Sequence, residues 1–487
     1  MENTLLKYQP VTSVWEVTMG CNMNCTHCGS SCNQPYNDEL STQEALQLVK
    51  EIAELGVKWV TLSGGEPLTR QDLPELIKVL KENGVGANVI TNGWLLPQKA
   101  KMLAEAGVSV VAISIDGTKE IHDETRRQGS FERDMEGIRL LRELNVEVGA
   151  ITTITQKNIG HLKELREELI KAKVSSWQVQ IGLPMGNLLK HKENIIRPEQ
   201  VDDIIDFCYE TALEGRIKMY PADCIGYYTE KEQEIKRRSY NVEHALWNGC
   251  NAGIRGFGIL QNGDIIGCTS VRDKEYIEGN IRERSLSDIW NDENAFGWRR
   301  NMKKEMLSGH CKECVYGNKC LGGCTNTRLT MEGSIYGENK YCSYNVYLKK
   351  KMAEIATEVD ANATLKKAQE ALRQNEVQMA LMLAKRGIEL NGKDRELHKE
   401  LYKLKGYADF MCGNYKDAEE SNAEALRLYK DDAYAIKGLA LSMYKQNKYP
   451  LEEVIQLMEK ANKLSGGADM DIIHDLNLLK QENLASR

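Results

Sequence analysis

Ten of the fourteen cysteines in this chain fall into two groups with regular spacing. The first group is a C-x3-C-x2-C run made by Cys21, Cys25 and Cys28. The second follows the pattern C-x12-G-x4-C, then C-x2-C-x5-C-x3-C, then one more cysteine: Cys250, Cys268, Cys311, Cys314, Cys320, Cys324 and Cys342. Thiols grouped in this way bind something in common. The chemistry open to them is disulfide bonding, zinc binding or iron–sulfur cluster binding.

Charge and hydropathy narrow these options. The 487-residue chain has 64 basic and 71 acidic residues, a net charge of −7, which does not favour nucleic acid as a partner. The sequence has no apolar stretch near the roughly 18 residues that a membrane span needs. Its first residues lack the basic-then-apolar layout of a secretory signal. We therefore expect a cytoplasmic protein that binds neither nucleic acid nor membrane, where reduced thiols bind metal more often than they pair.

The elements that position the first cysteine group alternate between strand and helix patterns. Strands are predicted at 14–18, 57–62, 87–91, 108–115, 146–154 and 176–182, and helices at 42–55, 71–83, 97–106, 131–143 and 158–172. Repeated βα units of this size predict a parallel sheet with right-handed crossovers. Six units are too few for a closed eight-stranded barrel. The predicted fold class is therefore α/β, a partial (β/α)6 TIM-like barrel.

Glycine-rich and polar motifs follow the predicted strands. Because the carboxyl ends of parallel strands share one edge, these motifs predict a single site. After Cys21 they are Ser63-Gly64-Gly65-Glu66-Pro67, Thr91-Asn92-Gly93, Ser114-Ile115-Asp116-Gly117 and Thr155-Gln156, with Gln178 and Gln180 on the sixth strand.

Composition divides the chain into three predicted domains: 1–220, 221–350 and 358–487. The middle domain is rich in cysteine and holds a hairpin around Asn262-Gly263, and we expect it to depend on metal for its fold. The last is an all-α region rich in Ala, Leu, Lys and Glu, with weak self-similarity every 34–38 residues. This period resembles tetratricopeptide (TPR) repeats, which present a concave peptide-binding face. A generic helical bundle is the alternative.

The C-x3-C-x2-C run, with His27 before its last cysteine, resembles the signature of the radical S-adenosylmethionine (radical SAM) superfamily. Gly64–Pro67 resembles the GGEP motif of that family, and Ser114–Gly117 resembles its fourth-strand motif. A structural zinc site on an α/β domain is the alternative. The resemblance implies a [4Fe-4S] cluster on the three thiolates, with one open iron that binds S-adenosylmethionine (SAM). It also implies a 5′-deoxyadenosyl radical that abstracts hydrogen from a C–H bond.

The same resemblance implies a set of SAM contacts. Gly64 and Gly65 would let the backbone approach the cofactor. Glu66 would accept a hydrogen bond from the amino group of SAM, and Arg126 would form an ion pair with the carboxylate of SAM. The other polar side chains would complete the site, the alternative for each being a capping or surface role. The predicted SAM-binding residues are Gly64, Gly65, Glu66, Thr91, Asn92, Ser114, Asp116, Arg126 and Gln180.

The seven-cysteine pattern resembles the SPASM extension, which occurs on radical SAM enzymes that modify peptides and proteins and houses two auxiliary clusters. By that resemblance, one auxiliary cluster is held by Cys311, Cys314, Cys320 and Cys342, and the other by Cys250, Cys268 and Cys324. This gives three [4Fe-4S] clusters in total, a zinc ribbon being the alternative. Cys224 has three readings: the missing fourth ligand, a catalytic thiol that donates hydrogen to a substrate radical, or a buried small hydrophobe.

These resemblances predict an oxidoreductase-type maturase of a ribosomally synthesised precursor peptide (a RiPP), forming a crosslink or thioether or inverting a stereocentre. The helical region would recruit the precursor, and a ferredoxin or flavodoxin would supply electrons. One alternative is a sulfatase-maturing enzyme that generates formylglycine. Such enzymes carry an aspartate that serves as a base at the position where this chain has Thr269. The next carboxylate in this chain is Asp273. Another alternative is a non-catalytic iron–sulfur and TPR interaction protein.

Overall fold

A computed structural model describes residues 8–241 and 247–485 of this chain. Ten strands form one sheet in the order β10-β9-β8-β1-β2-β3-β4-β5-β6-β7. Neighbouring strands from β8 through β1 to β7 are parallel, whereas β9 pairs antiparallel with both β8 and β10. The strands are β1 Thr12–Thr18, β2 Trp59–Gly64, β3 Gly86–Thr91, β4 Val110–Ser114, β5 Glu147–Ile154, β6 Ser176–Ile181, β7 Lys218–Pro221, β8 Gly256–Ile259, β9 Asp264–Ile266 and β10 Ile277–Asn280.

Helices connect the seven parallel strands from β1 to β7, as the sequence predicts, and three more helices follow β7 and β10. They are α1 Thr42–Glu54, α2 Leu73–Glu82, α3 Leu96–Ala106, α4 Lys119–Thr125, α5 Ser130–Glu143, α6 Leu162–Lys171, α7 Val201–Glu214, α8 Glu230–Tyr240, α9 Leu286–Asn291 and α10 Gly297–Arg300. Helix α1 begins with a capping box in which Ser41 and Glu44 satisfy each other's backbone N–H groups. The α/β partial-barrel fold class is confirmed.

The two faces of the sheet differ in burial. On β2 to β6, alternate side chains such as Leu62, Val89 and Val179 are fully buried in the core against the helices. The intervening side chains, among them Thr61, Asn88 and Gln178, are only half-buried. Period-two alternation of this kind separates an outer core from an inner face. We call that inner face the lumen of the partial barrel.

The cysteine-rich hairpin extends the same sheet. Strand β8 pairs with β1, with Ser13 opposite Phe257 and Trp15 opposite Ile259. The hairpin at Asn262-Gly263 is confirmed, since β8 and β9 flank it. Its pairing with the first strand, and the extra strand β7, were not predicted from the sequence.

The chain divides into two compact units, residues 1–308 with 319–346 and residues 309–318 with 347–487. The predicted boundary near residue 220 therefore falls within the first unit. The remaining helices are α11 Gly309–Glu313, α12 Gly317–Cys320, α13 Thr325–Glu332, α14 Ser343–Ala356, α15 Ala361–Arg373, α16 Val377–Leu390, α17 Arg395–Met411, α18 Tyr415–Leu428, α19 Ala433–Gln446, α20 Leu451–Leu464 and α21 Met470–Ala485. Within the described residues, none of the helices combines the length and the apolar character that a membrane span requires.

Aspartate caps mark the period of the all-helical region, which the sequence places after residue 358. The Asp360, Asp394 and Asp432 carboxylates accept from the first-turn N–H groups of α15, α17 and α19. The small residues that predicted repeats, among them Ala418 and Ala425 on α18, are fully buried. The three capping aspartates are 34 and 38 residues apart, which matches the 34–38-residue interval seen in the sequence.

Replacement of a capping aspartate tests this account. Asp394→Ala removes the acceptor that satisfies the Leu397 N–H. We expect it to destabilise the start of α17 by about 1 kcal/mol, so that its amides exchange about fivefold faster with deuterated solvent. Asp394→Asn keeps a capping oxygen and is the matched control. Equal exchange in the two variants would contradict the assigned role.

Candidate active site

The first cysteine group lies on an irregular loop directly after β1. Asn92 Nδ2 donates to Cys21 Sγ at 3.8 Å, and Arg126 donates to Cys25 Sγ at 3.9 Å. The Cys32 thiol and three backbone N–H groups donate to Cys28 and lower its pKa to about 5. Burial raises the pKa of Cys25 to about 11, and repulsion from the other two thiolates adds to that increase. Three mutually interacting sulfurs with polar donors around them therefore occupy one short loop.

This donor set fits an iron–sulfur cluster. No three His, Cys, Asp or Glu residues in the described ranges are grouped closely enough to hold a single metal ion. A four-iron cluster has different requirements, because each thiolate binds a separate iron and N–H donors to sulfur tune the cluster. Cys21, Cys25 and Cys28, with Asn92 and Arg126 beside them, match those requirements.

The loop from Gly64 to Pro67 is bonded to the base of the cysteine loop. Gly65 N–H donates to Thr18 O at 2.7 Å, and Glu66 N–H donates to Gly20 O at 2.8 Å. Gly64 has φ of +125°, and a Cβ there would lie 2.3 Å from Thr18 O. The glycines are therefore required by close packing of two backbones.

Glu66 links this loop to the end of β3. Its side chain is fully buried, and its carboxylate accepts from Leu68 N–H at 3.0 Å, Thr91 Oγ1 at 2.7 Å and Asn92 N–H at 2.7 Å. Burial raises the pKa of Glu66 to about 7, although these three donors favour the ionised form. Through Asn92, whose amide contacts Cys21, the buried carboxylate supports the cysteine loop.

Asp116 performs a similar task from the end of β4. Thr153 N–H donates to one carboxylate oxygen at 2.8 Å, while Arg126 Nε at 2.5 Å and His27 Nε2 at 3.1 Å contact the other. Burial alone would raise the pKa of Asp116, but Arg126 and His27 hold it well below its usual range. Asp116 thus orients Arg126 toward Cys25.

The predicted SAM-binding residues therefore separate into two sets. Glu66, Thr91 and Asp116 are at most 1% exposed and already bonded to the protein. These bonds give the three residues a positioning role within the protein, and their contact with the cofactor stays a prediction. Ser114, Arg126 and Gln180 are only half-buried, and Gln180 Nε2 donates to Thr153 Oγ1 at 3.1 Å. These three also stay predicted contacts, together with Asn92 and the backbone of Gly64 and Gly65.

The second cysteine group is distributed over both units. In the first unit, burial raises the pKa of Cys268 and of Cys324, and the neighbouring Cys250 thiolate adds to both increases. Burial also raises the pKa of Cys224, to which the Cys324 thiolate contributes. Cys320 and Cys342 are buried residues of the same unit.

The segment with Cys311 and Cys314 belongs to the second unit. Val315 N–H donates to Gln378 Oε1 at 3.0 Å, and Lys385 pairs with Glu313 at 2.6 Å. The C-x2-C segment is thus held against α16, a contact that the sequence did not predict.

A buried ion pair that was not predicted from the sequence lies beside the site. Glu16 projects from β1, is 5% exposed and accepts from Arg272, which also donates to Ser30 Oγ at 2.6 Å and Thr269 O at 2.7 Å. The second oxygen of Glu16 has no hydrogen-bond partner among the residues described. Burial raises its pKa to about 7. A glutamate inside an otherwise apolar strand was the available signal.

Glu66→Gln tests the supporting role of the buried carboxylate. An amide of the same shape would present N–H hydrogens to at least one of three donors, so we expect a loss of about 1–3 kcal/mol in the free energy of unfolding. Thermal unfolding, followed together with iron content after anaerobic reconstitution, measures this. Glu82→Gln, at an exposed position on α2, is the control and should change stability by less than about 0.5 kcal/mol. Full stability of Glu66→Gln would refute the role.

Comparisons with known proteins agree with this geometry. The profile of the Radical SAM superfamily matches residues 15–169, and that of the SPASM iron–sulfur cluster-binding domain matches residues 250–315. An AdoMet-dependent heme synthase of Oleidesulfovibrio alaskensis is 32% identical over 343 residues, covering 68% of this chain and 86% of that protein. The mycofactocin maturase MftC of Mycolicibacterium smegmatis is 26% identical, covering 68% and 82%.

The fold is also similar to solved structures. Streptococcus suis SuiB, bound to its precursor peptide SuiA, superposes with a TM-score of 0.56 at 18% identity, covering 69% of this chain and 76% of SuiB. The cysteine loop, the strand-end motifs and the heme synthase similarity together identify the family. This chain belongs to the radical SAM superfamily and is a SPASM-type radical SAM enzyme, whose cofactors are SAM and [4Fe-4S] clusters.

Proposed function

We propose that this enzyme modifies a peptide and that a groove in its helical region recruits that substrate. When bound, SAM and the reduced cluster supply a 5′-deoxyadenosyl radical that abstracts hydrogen from an unreactive C–H bond. The chain's own residues bind the substrate and keep water from the site. The proposal rests chiefly on the groove, which lies outside the residues that both family profiles match.

The groove lies wholly within the second unit and has a volume of about 860 Å³. Its lining is mainly apolar and aromatic, with contributions from α17, α19 and α21. Tyr407, Tyr434 and Leu478 in it are each more than half exposed. A large, rigid aromatic surface of this kind suits side chains of a peptide, which gain affinity from burial of aromatic area. The lining includes Tyr407, Phe410, Tyr434, Leu441, Tyr444 and Leu478.

The lumen chemistry also favours a peptide. Several half-buried side chains that face it, such as Ser63, Thr153 and Gln178, are polar and uncharged, and others, such as Ile90 and Ile151, are apolar. The one carboxylate oxygen without a partner on β1 belongs to Glu16, which can accept from an amide N–H. A substrate that carries several carboxylates would need free cations, whereas Arg272 is already paired with Glu16. Amides match these groups better.

Mass analysis of a candidate substrate tests the proposal. Short peptides encoded beside this gene are co-expressed with the enzyme under anaerobic conditions and then weighed. A crosslink removes two hydrogen atoms, and a stereoinversion leaves the mass unchanged but adds deuterium when the reaction runs in D2O. Neither change should appear with Cys25→Ala. Unmodified peptide in every case, despite SAM cleavage, would remove the proposal.

Variants in the groove test recruitment. Tyr407→Ala combined with Leu478→Ala removes two exposed contacts, and we expect the Kd for the labelled precursor to rise at least about tenfold. Met470→Ala with Leu484→Ala, also exposed but outside the groove, is the control. Point variants are preferred to deletion because α16 holds the Cys311–Cys314 segment. Equal affinities in the two double variants would contradict recruitment by the groove.

We further propose three clusters, with Cys224 as the fourth ligand beside Cys250, Cys268 and Cys324. Its proximity to the Cys324 thiol supports this ligation. Cys224→Ala should then lose on the order of four iron atoms per chain. Cys208→Ala, which alters a fully buried core thiol, should retain them. Retention of iron in Cys224→Ala together with loss of product would instead favour the hydrogen-donor role.

A second candidate is a tetrapyrrole substrate, favoured by the identity to heme synthases of Oleidesulfovibrio alaskensis and Methanosarcina barkeri, at 32% and 31%. Incubation of the reduced enzyme with SAM and iron coproporphyrin distinguishes the candidates. Conversion of the porphyrin to a product of new mass would support the second candidate and contradict the first.

A further inference from the structure

Two arginines stack on one tryptophan at the surface next to the cysteine loop. The Arg127 guanidinium lies 3.7 Å from the Trp94 ring centroid, and that of Arg133 lies 4.5 Å from it. Trp94 is half-buried, Arg133 is half-buried and Arg127 is exposed. We call these three residues the Trp94 patch.

The patch is connected to the cluster ligands by short contacts. Trp94 N–H donates to Asn92 Oδ1 at 3.1 Å, and the Asn92 amide in turn contacts Cys21 Sγ at 3.8 Å. Arg127 donates to the Asn22 carbonyl at 3.0 Å, within the cysteine loop itself. Its neighbour Arg126 contacts Cys25 Sγ. The patch therefore lies next to Asn92 and Arg126, the residues that contact the Cys21 and Cys25 thiols.

The positive charge of the patch is not neutralised by the protein. Arg133 donates to Trp94 O at 2.7 Å and Gln98 Oε1 at 3.0 Å, and Arg127 to Asn22 O. Neither guanidinium forms an ion pair with a carboxylate anywhere in residues 8–241 or 247–485. The chain as a whole carries a net charge of −7, so this is a local departure from its overall charge. An exposed positive patch of this kind steers acidic partners.

Packing alone does not account for this arrangement. One guanidinium over the half-buried Trp94 ring would cover its open face, whereas a second guanidinium adds like-charge repulsion and lowers stability. The positive charge of Arg127 and Arg133 lies beside the loop that holds the cluster and has no carboxylate partner in the described residues. A negatively charged protein partner would neutralise it. The hydrogen bonds of Arg127 and Arg133 go to Asn22 O, Trp94 O and Gln98 Oε1, and not to the three thiols.

We propose that the Trp94 patch docks an acidic, low-potential electron-transfer protein that reduces the cluster on Cys21, Cys25 and Cys28. One electron passes from the donor to the cluster, so the donor is oxidised by one electron and no proton or bond is exchanged. The inference rests on the radical SAM chemistry of the family and is independent of whether the substrate is a peptide.

The experiment uses the full-length, reconstituted enzyme and a purified bacterial flavodoxin as the probe. Calorimetric titration gives the Kd of the complex. Stopped-flow bleaching of the cluster absorbance gives the rate of reduction at subsaturating reduced flavodoxin. Sodium dithionite, which needs no docking surface, is the parallel reductant. For the wild type we expect saturable binding that weakens as salt is raised.

Charge reversal at the patch is the decisive change. In Arg127→Glu with Arg133→Glu, we expect the Kd to rise and the flavodoxin-dependent rate to fall by about tenfold or more, with reduction by dithionite unchanged. Arg139→Glu with Arg142→Glu makes the same change in net charge. Both arginines lie on α5, about 9 and 14 Å along its axis from Arg133, and this change should alter both values by less than about twofold. Arg133→Glu alone, which alters no contact to the cysteine loop, should show a smaller loss in the same direction.

Three outcomes would overturn the proposal. The first is an unchanged Kd and rate in Arg127→Glu with Arg133→Glu, and the second is an equal loss in that variant and in Arg139→Glu with Arg142→Glu. The third is a loss of reduction by dithionite in Arg133→Glu that equals its loss of reduction by flavodoxin. These results are separate from a failure of the proposed function. That failure would appear as absence of peptide modification in an enzyme that is still reduced by both donors.

Discussion

The cysteine loop has no regular structure of its own, so buried hydrogen bonds to neighbouring strand ends must hold it in place. Glu66 supplies three of these bonds and joins the ends of β2 and β3, while Asp116 fixes Arg126 from the end of β4. Both carboxylates are removed from solvent and are therefore costly unless every bond is made. The two carboxylates reach the thiols through one residue each: Glu66 through Asn92 to Cys21, and Asp116 through Arg126 to Cys25.

The same strands that hold the loop also form the lumen. Their outward side chains build the apolar core, and their inward side chains are half-buried, several of them polar, such as Thr61, Asn88 and Gln178. The pairing of β8 with β1 brings Arg272 to Glu16, so the cysteine-rich hairpin completes one wall of the site. The barrel and the hairpin that follows it therefore share a buried ion pair, between Glu16 and Arg272.

Much of this architecture could be predicted from the sequence. Alternating βα patterns predicted six strands, because burial against helices imposes a regular period on the sequence. The cysteine spacings predicted iron–sulfur clusters, because ligands on one loop need fixed gaps. What could not be predicted depends on contacts between distant residues. The Glu16–Arg272 pair spans 256 residues. Nothing in the local sequence shows that the Glu66 carboxylate is buried and bonded to Thr91 and Asn92. The placement of the Cys311–Cys314 segment against α16 is similarly non-local.

The central claim is that three thiolates hold a cluster with one iron free to bind SAM. Electron paramagnetic resonance of the anaerobically reduced enzyme, with both auxiliary sites removed by Cys-to-Ala variants, tests it most directly. The account predicts the signal of a single reduced [4Fe-4S] cluster whose g-values shift when SAM is added, with hyperfine coupling to 17O-labelled SAM carboxylate. A signal that does not respond to SAM, or a preparation that contains zinc in place of iron, would contradict it.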